Sequence, residues 1–175
     1  MSSTTWDALE KRLDNVKKPV QIFRLCDDTD VRARYLAAKR EDEQAAAYLE
    51  GLAKDAEAEA RALVEQQARK AKAEFAAAKK AYDAHTVVLR FQGLERDEIK
   101  DLMAKHPPSE EEEANGSDWD EDTFPPALIA AASLDGMPEE AAARYLKSWL
   151  PSDARDLWNA AWSVQNTRRT DLGKG

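Results

Sequence analysis

Three aspartates at alternate positions, Asp118, Asp120 and Asp122, are the residues of this 175-residue chain whose type and spacing come nearest to a chemistry. Carboxylates at positions 1, 3 and 5 open the calcium loop of an EF-hand. The pattern stops there. Position 6, which needs glycine for the turn, is Thr123, and position 12, where a bidentate acid belongs, is Ile129. A solvated acidic loop is the expectation, with no metal. His85 and His106 have no second His or Cys at ligand spacing, and both are expected to be structural. Cys26 is followed by Asp27 and Asp28, whose charges disfavour a thiolate and so a nucleophile. No Ser, His and Asp set points to acyl transfer, and no glycine-rich loop follows a strand to hold phosphate. The sequence predicts no catalysis and no cofactor.

The acids are concentrated in one place. Residues 95–122 hold 12 acids against 3 bases, while the whole chain has a formal net charge of −8, so the remainder is close to neutral. A phosphate backbone is bound through Lys and Arg, and with no basic stripe nucleic acid is not an expected partner. No apolar run approaches the ~20 residues that span a bilayer. The lone Cys26 cannot form an internal disulfide, and the opening Met1-Ser2-Ser3-Thr4-Thr5-Trp6 lacks the order of a secretory signal. A cytoplasmic protein free of the membrane is expected. Many of the residues behind its hydrophobic content of 43% are alanines, so the core should be thin.

Residues 1–29 read as a short helix and a strand. Trp6, Leu9, Leu13 and Val16 fall at helical spacing, with Thr4 or Thr5 as N-cap. Pro19 ends that helix and Val20–Leu25 is strand-like, as is Thr86–Phe91. Between them, residues 30–85 have no proline, one glycine and much alanine, which predicts a long charged helical arm. Along it Ala45, Leu49, Leu52, Ala56, Ala60 and Leu63 follow steps of 4, 3, 4, 4 and 3, a narrow stripe close to an eleven-residue period. The arm is either one rod or a hairpin reversing at Gly51. Pairing of the two strands favours the hairpin, because a rod of this length at ~1.5 Å per residue holds them ~80 Å apart.

Residues 86–166 should form a small helical domain. Arg96–Lys105 is a helix closed by His106-Pro107-Pro108, and 109–122 is an acidic loop in which Glu110–Glu113 form one solvated block. Thr123 or Asp122 then caps a helix whose first turn holds Pro125 and Pro126 and whose body, Ala127–Leu134, is apolar on every side, the expected centre of the core. Pro138 opens a helix to Trp149, and Pro151 opens a last one whose Leu157, Trp158, Ala161 and Trp162 face inward. Residues 167–175 look frayed. The fold class is therefore mainly α: a short two-stranded β element, the arm and a C-terminal helical domain.

The order Val87-Val88-Leu89-Arg90-Phe91, a short charged helix, His106-Pro107-Pro108, an acidic insert, Asp122-Thr123-Phe124-Pro125-Pro126-Ala127-Leu128-Ile129-Ala130-Ala131 and Leu157-Trp158-Asn159-Ala160-Ala161-Trp162 resembles the tail assembly chaperones of long-tailed actinobacterial phages. The likeness covers roughly residues 86–166, and Lys17-Lys18-Pro19-Val20 with the helical arm is similar too. It implies a factor in the host cytoplasm that coats the long helical tape measure protein before the tail tube forms, and that is absent from the mature virion. It also implies a longer form made by ribosomal frameshifting, and the chain is expected to form homo-oligomers. For the partner surface the sequence offers Trp119, Phe124, Leu128, Ile129, Trp158 and Trp162. Trp119 is either tucked against the helices or an exposed anchor. The alternative is a structural virion component or coiled-coil scaffold in which the arm zips with copies of itself, although few Leu or Ile occupy its stripe.

Overall fold

Glycine and proline divide the chain into short helices joined by tight turns, and only two helices escape that punctuation. The computed structural model describes residues 5–52 and 56–171 and is 66% helical. Among the described residues there are eight α-helices, a 3-10 turn and one antiparallel sheet of two strands, β1 (Val20–Cys26) and β2 (Thr86–Gln92). The chain divides into two compact units, Arg24–Val88 and a second made of 1–23 with 89–175, so the boundary falls inside both strands. Among the described residues no helix is long and apolar enough to cross a membrane.

The unit Arg24–Val88 is the arm, and it is a hairpin. Asp28 starts α2 (Thr29–Glu50) by accepting the backbone N–H groups of Asp30 and Val31 at 2.9 and 3.0 Å. The Val31 bond leads in holding its carboxyl below the usual range. Gly51 caps the other end of α2, at the break that the sequence allows, and α3 (Ala58–Ala84) packs back along it. Tyr35 stacks on Tyr82 with centroids 4.2 Å apart and meets Phe75 at 5.8 Å, while Arg34 reaches Glu74 at 2.7 Å. Ala38, Val64 and Ala78 fill the buried seam. One expectation needs correction. Ala45 to Leu63 is not a single stripe, because α2 ends at Glu50, α3 begins at Ala58, and Leu52 and Ala56 lie between them. At the base of the hairpin His85 Nδ1 lies 2.9 Å from Asp27 Oδ1, and the Asp27 N–H donates to the His85 carbonyl at 2.8 Å.

In the other unit, α1 (Thr5–Asp14) buries none of its residues. The expected cap Thr4 lies outside the described residues, as do 172–175 of the expected frayed tail. Within that tail Arg169 nonetheless donates to the Lys17 carbonyl at 3.1 Å. The Gly93 N–H donates to the Pro19 carbonyl at 3.0 Å, closing this end of the strand pair. Leu94 N–H is taken by the Gln165 side chain at 2.7 Å, and Lys18 pairs with Glu95 at 3.3 Å ahead of α4 (Arg96–Lys105).

Residues 109–122 are not loop throughout. Glu110–Ala114 forms a short helix, α5, because Ser109 and Glu112 make reciprocal capping bonds. The following α6 (Phe124–Ala132) carries its prolines in the first turn, where no backbone N–H is needed, and is the centre of the core. Phe124, Leu128 and Ile129 are wholly buried in it, alongside Phe91, Leu157 and Val164. Helices α7 (Glu139–Ser148) and α8 (Pro151–Ser163) pack on α6, and a 3-10 turn at Val164–Asn166 follows α8. Past α6 the Leu134 N–H donates to the Arg90 carbonyl, and Asp135 grips the Arg90 guanidinium at 2.7 and 3.1 Å.

Candidate functional site

The turn between α5 and α6 positions the first side chains of the site, and Asp120 holds that turn together. Its Oδ1 accepts from the Thr123 hydroxyl at 2.9 Å and from the N–H groups of Thr123 and Asp122 at 2.7 and 3.1 Å. The Thr123 hydroxyl bond leads in keeping the Asp120 carboxyl below its usual range. Thr123 stands at the N-cap of α6, as the sequence suggests, but its hydroxyl serves Asp120 instead of the helix. His106 Nδ1 lies 2.9 Å from the same hydroxyl oxygen. Because the hydroxyl proton is given to Asp120, Nδ1 must carry the hydrogen and donate. A base that activates a hydroxyl has to accept its proton, so this His, Thr and Asp row fastens a turn.

Glu112 ties α5 to the same turn. Its carboxylate accepts from the Ser109 N–H and hydroxyl at 2.8 Å each and from the Glu121 N–H at 2.8 Å, and the Glu121 bond leads in lowering its pKa. The four glutamates are therefore not equivalent: Glu110, Glu111 and Glu113 face solvent, while Glu112 is a structural acceptor. The alternating Asp118, Asp120 and Asp122 do not converge. Among the described residues no group of three or more His, Cys, Asp or Glu is placed to hold a metal ion.

This turn presses Trp119 onto the helices. Its ring lies 4.9 Å from both Phe124 and Trp162 and 6.5 Å from Trp158, and Trp158 stacks on Trp162 at 5.4 Å. Trp119 is thus tucked, but only half-buried, and so are Trp158 and Trp162. Of the six residues proposed from sequence for a partner surface, these three reach solvent. Phe124, Leu128 and Ile129 are core and show no surface to a partner, because α6 is covered by α7, α8 and α4. They support the site from beneath.

Beside Trp119 and Trp158 opens a groove of about 540 Å³. Such a volume lies within the roughly 300–1,000 Å³ typical of ligand pockets. Its walls are Trp119 from the turn, Pro125 from α6, Ala143 and Leu146 from α7, and Ala154 and Trp158 from α8. Ala143 and Ala154 are why the groove exists, since larger side chains there would fill it. Ser117 also lines it, but its hydroxyl is spent on the Trp119 carbonyl at 2.8 Å. The rim is charged in two halves. Glu121 and Asp122 come from the turn, and Lys147 and Arg155 come from α7 and α8. All four are exposed, and among the described residues no salt bridge joins them. Sequence reasoning missed Ala143, Leu146, Ala154 and the basic rim, since nothing in their spacing separates groove from core.

An apolar floor with flanking aromatics and divided charge can seat the side chains of an amphipathic helix and orient it. Neither a protein-family model, nor a curated protein, nor a solved structure matches the chain, and the groove is read on its own geometry.

Proposed function

We propose that the chain is a tail assembly chaperone that covers apolar stripes of a long helical tape measure protein, with the Trp119–Trp158 groove as the contact. The observation that carries this reading is the groove itself, an apolar hollow left open over a finished core. A tape measure protein bears helical stripes with nothing to pack on until the tube encloses it, and a transient partner must cover them. Shallow grooves on many copies suit this task, since each copy must be displaced in turn as the tube advances. The order of residues 86–166, with its likeness to such chaperones, supports the same reading. Residence in the host cytoplasm, absence from the mature virion and a longer frameshifted form belong to the proposal.

The alternative, a virion component or scaffold zipped through the arm, is disfavoured by one feature. The seam of α2 is already occupied by α3 of the same chain.

Co-expression with a long helical tape measure protein tests the proposal. Ala143→Leu fills the groove from a helical position that accepts leucine, so the fold should persist by circular dichroism while the soluble fraction of the partner falls severalfold. Undiminished solubility of the partner with this variant would refute the groove. Finding the chain in stoichiometric amounts in purified virions would favour the structural alternative.

A further inference from the structure

Helix α1 presents what the groove is shaped to receive. Trp6, Leu9 and Leu13 fall on one face and remain 59%, 43% and 60% exposed, and Val16, two residues past the end of the helix, is 49% exposed. At ~100° per residue, Glu10 and Asp14 flank this stripe on one side and Arg12 flanks it on the other. The groove has the complementary division, with Lys147 and Arg155 on one part of its rim and Glu121 and Asp122 on another. An apolar stripe with an acidic and a basic edge thus matches an apolar hollow with a basic and an acidic edge.

The two halves do not meet within one chain. The α1 end is tied down by the Arg169 bond to the Lys17 carbonyl, and Leu13 and Val16 line a separate hollow with Gly93 and Val164. Val164 lies nine residues beyond Arg155 along α8 and the turn that follows it, which places the two sites ~14 Å apart on that axis. A second copy satisfies both halves at once.

We infer that α1 of one copy seats in the Trp119–Trp158 groove of a second copy, so that copies link head to tail and α1 holds the groove until a partner helix displaces it. The contact is heterologous, so each added copy offers a new free helix and a new free groove, and the series extends without a fixed end. It rests on the part of the proposed function that gives the groove an amphipathic helix as its occupant.

Sedimentation of the full chain over a range of concentrations tests this. The wild-type average mass should climb past twice the 19.6 kDa of one chain. Leu9→Asp, and separately Lys147→Glu with Arg155→Glu, change exposed residues and should keep full helicity while weakening association roughly tenfold or more. An equimolar mixture of the two variants retains one good helix and one good groove, so it should form a pair and stop at two. A wild-type chain that stays single at every concentration, a Leu9→Asp chain that associates normally, or a mixture that stays single would each overturn the inference. A Lys147→Glu with Arg155→Glu chain that associates normally would overturn it too, and would mark a symmetric contact between two α1 helices. Partner solubility separates the readings. If wild type stays single while Ala143→Leu loses the partner, this inference fails and the proposed function stands. If the copies link as described and Ala143→Leu keeps the partner soluble, the reverse holds.

Discussion

Asp120 and Glu112 show how much of this protein's acidity is spent on structure. Both carboxyls are held below their ordinary range by hydrogen bonds made to the ionised form. A depressed folded pKa gives stability that is complete above the unfolded value and is lost as pH falls through the folded one. Asp120→Asn should therefore lower Tm by a few degrees at neutral pH, and the two melting curves should converge as the medium is acidified below about pH 4. A gap that persists in acid would mean that shape, and not charge, sets the role of Asp120. At this scale the sequence was partly legible. Ser109 and Glu112 have the spacing of a capping box and could have been separated from the other glutamates on that ground. The bond from His106 to Thr123 joins residues on either side of the acidic segment and leaves no local mark. Apolar character alone also cannot tell a buried side chain from a docking one, which is why Phe124, Leu128 and Ile129, from the helix expected at the centre of the core, also stand among the partner-surface candidates that the sequence offers.

Among the elements, the strand end at Gly93 and the seam of the hairpin carry the sharpest consequences. A Cβ at Gly93 would lie 3.1 Å from Pro19 Cγ and 3.3 Å from Cδ, against a ring whose carbonyl is held by the Gly93 N–H. Gly93→Ala should cost about 1–3 kcal/mol through overpacking, read as a lower Tm in thermal circular dichroism. An unchanged Tm would show that the Pro19 ring gives way. In the hairpin, Tyr35 and Tyr82 stack at 4.2 Å, with Phe75 beside Tyr35 and Ala38, Val64 and Ala78 buried in the same seam. Tyr82→Ala should remove about 0.5–1.5 kcal/mol of ring pairing in addition to buried area. Hydrogen exchange should then rise across Thr29–Glu50 and Ala58–Ala84 while α6 keeps its protection; equal loss in α6 would contradict two separate units. Helix positions were the most legible elements, since proline and glycine mark their ends. The choice between rod and hairpin is legible only through the pairing of the two strands, because an alanine stripe repeats in the same way whether its partner is distant or adjacent.

For the molecule as a whole, the mainly helical class, the pair of strands and the central α6 follow from hydrophobic pattern and punctuation, and they are the arrangement found. The groove was hidden because it depends on what is missing: larger side chains at Ala143 of α7 and Ala154 of α8, which both line it. The concentrated charge near it is likewise divided by the fold into a structural set and an exposed set, a partition that net charge cannot express. Raising the salt concentration should weaken whatever the exposed set steers, and leave the short bonds of Asp120 and Glu112 largely intact, since a Debye length of about 3 Å at 1 M does not reach inside them.

The alanines at 143 and 154 also bear on how such a surface changes over generations. One nucleotide substitution converts any alanine codon to valine, which narrows the hollow by two methyl groups without introducing polarity. A trimmed anchor on the opposing polypeptide would then restore the fit. Lock and key can drift together in steps of about 1–2 kcal/mol, at ~0.8 kcal/mol for each buried carbon, and no step requires either chain to abandon its fold.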